Sequence, residues 1–403
     1  MKKVFGEKFL LSFWGYRLFG QQDTKETVRM WRDAGFNTAI SFIYRQGSGT
    51  KEEMLELLDC AQENGLSVIL YDDRIHCHRL VEMSEEEYEK AVLRSVSEFA
   101  SHPAAAAFFV SDEPNKDTLP LAEKAVRIVR KHSPVPAFVN FYPMWRSKDY
   151  VDLMGVPGGD VGKLYSDFVK ASGAQCIAYD CYAAMDAREP ETGMHTYFDN
   201  LNTYRAAAQS AGVPFVTSLL CTGHWSFCLP TLTDMRWQLS TAIAHGAKGV
   251  QWFMLYDNED KLGDSPVDVE NQKQPSYYDL RKVNREFARE AGDLPCKLEL
   301  EEVYHFYRAY GGTQLYARGY DEYLKNFSAK YPDDAVIGRF RHRETGNIWF
   351  MFVNGSREAG NQFRYEFCPA YAHRNGSVWI DAGKFYFIEL KEGEEGDGKC
   401  DRN

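Results

Sequence analysis

No apolar run in the 403 residues approaches the roughly 18 positions that a membrane-spanning helix takes. The start, MKKVFGEKFLLSFWGY, opens on a pair of lysines but has neither a sustained apolar core nor a small-residue cleavage site, so it reads as a strand rather than a secretory leader. No Cys-x-x-Cys pair and no Cys/His ligand spacing occurs. The nine cysteines (60, 77, 176, 181, 221, 228, 296, 368, 400) are odd in number and scattered. Free thiols in a reducing cytoplasm are the expectation, with a secreted form whose leader has been removed as the alternative. Basic residues are outnumbered 47 to 58, giving a formal net charge of -11. That field repels phosphate, which argues against nucleic acid or an anionic membrane as partner. No glycine-rich phosphate loop follows any strand candidate.

What is present is a large folding capacity: 44% hydrophobic, 14% aromatic and 26% charged residues describe a folded chain with an extensive core. Eight short apolar runs stand out: KFLLSFWGY, FNTAISFIY, LSVILYDD, AAAFFVSDE, PAFVNFYP, QCIAYDCYA, PFVTSLLCTG and KGVQWFMLYD. Between them, stretches such as KETVRMWRDAG, EEMLELLDCAQENG and YEKAVLRSVSEFASH repeat apolar residues at helical spacing. Thr50 with Glu53 and Ser84 with Glu87 fit capping boxes, and Gly35 and Gly65 sit where helices stop. Eight strand and helix units in under 300 residues predict an α/β fold, a (β/α)8 TIM barrel over 1–295, with an open doubly wound sheet as the alternative. After Pro295 the texture alternates apolar and polar, in AVIGRFRHRETGNIWFMFVNGS, QFRYEFC and GSVWIDAGKFYFIEL. The turns ETGN, NGS and DAGK predict hairpins, hence a small antiparallel β-sandwich over 296–390 and a frayed tail over 391–403.

In such a barrel the ligand site lies at the C-terminal ends of the strands. Those ends offer Trp14 and Tyr16; Tyr44; Asp72 and Asp73, with His76 and His78 beyond; Asp112 and Glu113; Asn140 and Tyr142; Asp180 and Tyr182; His224 and Trp225; and Gln251, Trp252, Tyr256 and Asp257. Carboxylates, amides and aromatics with little Lys or Arg suit a neutral polyhydroxylated ligand: aromatic faces stack on the C–H faces of sugar rings, and carboxylates accept from hydroxyls. Blander readings stand beside this one. Asp112 could cap the next turn, although Asp117 and Thr118 lie closer to that helix. Asp180 could be a buried structural acid, and Trp14 and Trp252 could fill the core. His76 and His78 raise a metal site with Asp72, but no third-ligand motif accompanies them, so neither metal nor cofactor is called.

The stretches FFVSDEPN, VNFYP and GVQWFMLYDNE, with DSPVDVENQKQPSYYDLRKVNREFAREAGDL after them, resemble the (β/α)8-barrel glycoside hydrolase superfamily. The resemblance is to β-galactosidase-like members that carry a trailing β-domain. It implies an enzyme that cleaves a glycosidic bond. Retaining members carry Asn-Glu at the end of strand four, and the matching pair here is Asp112-Glu113. Glu113 inherits the acid/base role and Asp112 the sugar-contacting position. Their nucleophilic Glu at the end of strand seven has no counterpart, since TSLLCTGHWSF contains no carboxylate. Asp180 is the first candidate for the second carboxyl, then Asp72 and Asp257. Trp14, Tyr16, Asp72, Asn140, Tyr142, Tyr182, His224, Trp252 and Tyr256 are the candidate sugar contacts. Two alternatives stay open: a substrate-assisted hydrolase of N-acetylated amino sugars, in which Asp112 orients the acetamide, and a barrel that binds carbohydrate without turnover. Oligomeric state is not legible.

Overall fold

The computed structural model describes residues 4–45, 47–257 and 264–391. Eight parallel strands form its first sheet: β1 (Leu10–Phe13), β2 (Thr38–Ile40), β3 (Ser67–Leu70), β4 (Ala105–Asp112), β5 (Ala137–Phe141), β6 (Ile177–Asp180), β7 (Phe215–Leu220) and β8 (Gly249–Phe253). They pair in the order β1-β8-β7-β6-β5-β4-β3-β2. The remaining seam, β1 to β2, is bridged by Asn37: its backbone N–H donates to the Leu11 carbonyl (3.2 Å) and its side-chain oxygen accepts from Leu11 N–H (3.0 Å). The barrel is thus nearly closed. Both faces of each strand are buried, as continuous apolar runs require. Leu10, Ile40, Ile69, Ala107, Phe109, Phe138, Ala178, Val216 and Phe253 fill the interior. Leu11, Val68, Phe108, Val139 and Val250 face the helices.

Helices follow the strands as the periodicity predicts. Both capping boxes form, at Thr50/Glu53 and Ser84/Glu87. Gly35 and Gly65 take φ of 86° and 67°, in the left-handed region that a side chain disfavours. Thr118 occupies the N-cap position of Leu119–His132, but its hydroxyl accepts from Asn115 N–H, and no side-chain cap bond forms. Asn115 Oδ1 instead accepts from Asp117 and Thr118 N–H, closing the turn after the acids. An unanticipated helix, Val161–Ser172, follows β5; the glycines around it obscure its apolar spacing.

One irregularity in β4 positions the site. Phe109 pairs with Phe138, but Ser111, not Val110, pairs with Val139, so β4 carries one extra residue. Val110 joins the core facing the helices, and the Ser111 hydroxyl meets Cys77 Sγ at 3.2 Å on the same side. Two successive residues therefore point outward, and Asp112 is returned to the interior beside Asn140.

The C-terminal strands are β9 (Leu298–Phe306), β10 (Gln314–Leu315), β11 (Leu324–Ala329), β12 (Ala335–His342), β13 (Ile348–Asn354), β14 (Asn361–Phe367), β15 (Gly376–Ile380) and β16 (Phe385–Leu390). They form a five-stranded sheet, β10-β9-β12-β13-β16, and a three-stranded one, β11-β14-β15. The pairing is antiparallel except between β9 and β10. Ile337, Phe350 and Phe352 from the first meet Phe327, Phe363 and Tyr365 from the second. The alternate residues Val336, Phe340, Met351 and Val353 join the barrel core. Gly338 lets β12 lie close to the barrel helix Leu232–Ala244, because a Cβ there would come within 2.8 Å of the Ala244 carbonyl oxygen.

Of the three turns expected to close hairpins, only ETGN does, between β12 and β13. NGS and DAGK instead carry the chain from one sheet to the other, since β14 pairs with β11 and β15, and β16 with β13. Turn residues reverse the chain without choosing its partner. The expected tail, from 392 onward, lies outside the described residues. The eight described cysteines are free thiols. Among the described residues no helix is long and apolar enough to cross a membrane.

Candidate active site

Three acids converge at the C-terminal mouth of the barrel. Asp112, returned inward by the extra residue in β4, accepts from the Tyr16 hydroxyl (3.2 Å) and from Asn140 Nδ2 (3.1 Å). The same Asn140 nitrogen donates to Asp180 Oδ1 at 2.8 Å. One amide thus ties the ends of β4, β5 and β6 together. Glu113 completes the group: its N–H donates to the Asn140 carbonyl (2.8 Å), and its carboxyl hydrogen-bonds with that of Asp180. Glu113 has φ of 41°, a left-handed conformation rare for a residue with a Cβ. Tyr16 (48°) and Trp225 (52°), from other strand ends around the mouth, share it. Three such residues at one rim are the pattern of backbone held off its preferred region at a functional site.

Two carboxyls in hydrogen-bond contact share a proton, because ionising both would set like charges side by side in a poorly solvated place. Burial, and then the neighbouring Asp112 charge, raise the Asp180 pKa to about 7, against the pull of its hydrogen bonds from Asn140 and with Glu113. The phenols nearby feel the same field. Tyr16, Tyr142 and Tyr182 are all raised by burial first, and then by the acids. The mouth therefore holds protons near neutral pH and has no cationic side chain among these groups.

Aromatic walls enclose the acids. Trp14 is buried on the floor, its Nε1 donating to Ser218 Oγ (2.9 Å) and its ring stacked on Tyr16 at 5.7 Å. Tyr182 meets Phe253 at 5.1 Å and His224 edge-on at 6.3 Å. The His224 ring lies under Trp225 at 4.4 Å, and that indole is 90% exposed.

Trp14, Tyr16, Asp112, Glu113, Asn140, Tyr142, Asp180, Tyr182 and His224 are brought together in this way. Asp72, Trp252 and Tyr256 are not. Asp72 is fully buried on the helix side, its carboxylate gripped by Arg74 (2.6 to 3.1 Å) and the Ser95 hydroxyl (2.6 Å). Trp252 also faces the helices and donates to Asn284 Oδ1 at 3.0 Å. The Tyr256 hydroxyl accepts from Trp31 Nε1 at 2.6 Å beneath the outer layer. Strand alternation explains the first two: with Ile69 and Gln251 inward, Asp72 and Trp252 fall on the outer face. The same parity puts Tyr71 inside, a contributor the strand-end reading passed over. It packs on Phe109 at 4.9 Å, and its phenol is raised by burial and by Asp112. Trp225, named among the strand ends but not among the sugar contacts, also stands at the rim, stacked on His224. Asp257 accepts from Ser265 Oγ at 3.4 Å, outside the acid cluster.

His76 and His78 face each other, Nδ1 to Nδ1, at 2.6 Å. Burial and the neighbouring His78 lower His76 to about 4. Among the described residues no group of three or more His, Cys, Asp or Glu side chains is arranged to hold a metal ion.

No protein-family model and no curated protein matches the chain. Solved structures do, among them glycoside hydrolases. A family 5 glycoside hydrolase from Bacteroides vulgatus superposes with a TM-score of 0.58 at 10% identity, over 96% of this chain and 90% of that one. A family 39 glycoside hydrolase from Bacteroides cellulosilyticus gives 0.51 at 11%, over 96% and 81%. A β-galactosidase from the psychrophilic Marinomonas ef1 gives 0.53 at 13%, over 70% of this chain and 60% of that one. The chain therefore spans less than two thirds of that β-galactosidase. At these identities the likeness is one of fold.

Proposed function

We propose that the protein hydrolyses a glycosidic bond, with Glu113 as general acid and Asp180 as the carboxyl that shares its proton. The convergence of Asp112, Glu113 and Asp180 on Asn140 at the mouth is the observation that carries the reading. A general acid must still hold a proton at working pH, and a second carboxyl in contact, in a buried setting, is a direct way to keep one there. Asp180 is the buried member of the pair and Glu113 the more accessible one, so Glu113 is the group that reaches a leaving oxygen. The aromatic walls suit a sugar ring, and the glycoside hydrolase neighbours support the reaction class.

The same contact favours a particular nucleophile. Two-carboxylate hydrolysis separates its acids by about 5 to 5.5 Å for retention or 6.5 to 9.5 Å for inversion. Carboxyls in hydrogen-bond contact are closer than either, and residues 220–224 after β7 contain no acid. An acetamido group on the substrate would supply what is missing. Its oxygen bonds to the anomeric carbon as the glycosidic C–O bond breaks, Glu113 protonates the departing oxygen, and water then opens the cyclic intermediate. Asp112, fixed by Tyr16 and Asn140, stands next to Glu113 to orient the acetamide N–H.

A panel of aryl glycosides, with and without a 2-acetamido group, tests both levels. Glu113→Gln is expected to lower kcat by at least about a hundredfold on any substrate found. Unchanged turnover overturns the assignment, and calorimetric binding of oligosaccharides without turnover in the wild type overturns hydrolysis itself. Preference for the unsubstituted sugar removes the acetamido reading alone.

A further inference from the structure

The three carbonyls that follow the Asp180 strand are each met by a different element. The turn Ala183–Met185 begins directly after Tyr182. Gly193 of the helix Pro190–Ala211 lies against the Ala183 carbonyl so closely that a Cβ there would collide with its oxygen. The Met185 carbonyl accepts from Cys228 N–H at 2.9 Å. Cys228 closes the 224–227 turn that bears His224 and Trp225, in which His224 and Phe227 exchange backbone bonds of 2.8 and 3.2 Å. Between these two, the Ala184 carbonyl accepts from both Nη1 (3.2 Å) and Nη2 (3.3 Å) of Arg357.

Arg357 does not belong to the barrel. It sits between β13 and β14, where the chain crosses from one sheet of the sandwich to the other. Its guanidinium lies over the buried Trp237 ring at 4.0 Å, with Asp234 Oδ1 at 3.6 Å and Met194 Sδ at 3.1 Å from its nitrogens. Stacking plus a forked donor is a geometry only arginine supplies. The next residue of the same helix, Gln238, bonds both backbone groups of Leu220 at the end of β7, at 2.9 and 3.0 Å. One crossover loop of the sandwich thus rests on the helix that holds β7 and grips the turn that follows β6.

We propose that Arg357 is a positioning residue through which the C-terminal sandwich sets one side of the mouth. It fixes the turn after Asp180 and, through Met185 and Cys228, the turn that carries His224 and Trp225. The kinetic consequence rests on the hydrolase reading; the mechanical one does not. The sandwich then does more than cover barrel helices: without its crossover loop the rim is incompletely held.

The test compares Arg357→Ala with Ser240→Ala. The Ser240 hydroxyl donates to the Gly383 carbonyl at 2.7 Å, a barrel–sandwich contact on the same helix that touches neither turn. Hydrogen exchange at the amides of 183–187 and 225–228 is expected to quicken about tenfold or more in Arg357→Ala and to stay at the wild-type rate in Ser240→Ala. On any substrate whose turnover depends on Glu113, KM or kcat should worsen by tenfold or more for Arg357→Ala only, since displacements of about 1 Å cost up to a hundredfold. Arg357→Lys keeps the charge and loses the fork, so it should fall between; it serves the same comparison if the alanine variant does not fold. Equal exchange in the two alanine variants overturns the proposal. A wild type without turnover overturns the hydrolase reading while the exchange comparison still decides this one.

Discussion

At the scale of single residues, the mouth is organised by one amide and one proton. Asn140 Nδ2 bonds Asp112 and Asp180 together, and burial beside Asp112 raises the second so that it holds a proton near neutral pH. Because burial lifts the Asp180 pKa from its ordinary value near 3.9 to about 7, the folded chain binds a proton that the unfolded chain has already released over that window. The stability this contributes is full below the unfolded value and is lost as pH rises through about 7. Asp180→Asn removes the titration, so its Tm relative to wild type should climb between pH 5 and pH 8. Scanning calorimetry at several pH values checks this, and a flat difference would exclude it. Trp225 makes a separate expectation. An indole 90% exposed at the rim, stacked on His224, is placed to stack on a sugar ring beyond the scissile bond. Trp225→Ala should raise KM for an oligosaccharide about five- to tenfold and leave an aryl monosaccharide glycoside nearly unaffected, as steady-state kinetics on the two would show.

Elements decide which of those residues reach the mouth. Gly193 allows the helix Pro190–Ala211 to lie on the turn after β6, and Gly193→Ala would press a methyl into the Ala183 carbonyl oxygen. Overpacking of this kind costs about 1 to 3 kcal/mol, so thermal denaturation should show a lower Tm, and the rim should loosen with it. The strands also mark where sequence alone was informative. All eight were legible as apolar runs, and the capped helices between them were legible from Thr50/Glu53 and Ser84/Glu87. Which way a strand-end residue points was less so. Parity along β3 and β8 sends Asp72 and Trp252 outward and brings Tyr71 in, a signal present in the spacing. Parity along β4 would have misled, because it puts Ser111 inside and Asp112 outside. The extra residue that reverses them leaves no mark in composition or hydropathy. The turns NGS and DAGK were legible as reversals, while the sheet each strand would enter depends on contacts far away in the chain.

The whole molecule joins its two parts through apolar surface. Val336, Phe340, Met351 and Val353 on the five-stranded sheet belong to the same core as the barrel helices, and Arg357 and Ser240 tie the edges. Parts that share a core unfold together, so calorimetry should record one cooperative transition. A chain ending at 297 should expose that face and be poorly soluble on expression; two well-separated transitions would contradict the shared core. The added residue in β4 reaches further than its own strand. A three-nucleotide deletion between the codons for Phe109 and Asp112 would leave every acid encoded and restore plain alternation, Phe109 in, one residue out and Asp112 in, so the acid would keep its direction. A descendant lineage lacking that residue would present the same acid from a regular strand, and an alignment of such descendants has to open its gap between Phe109 and Asp112 rather than after Glu113.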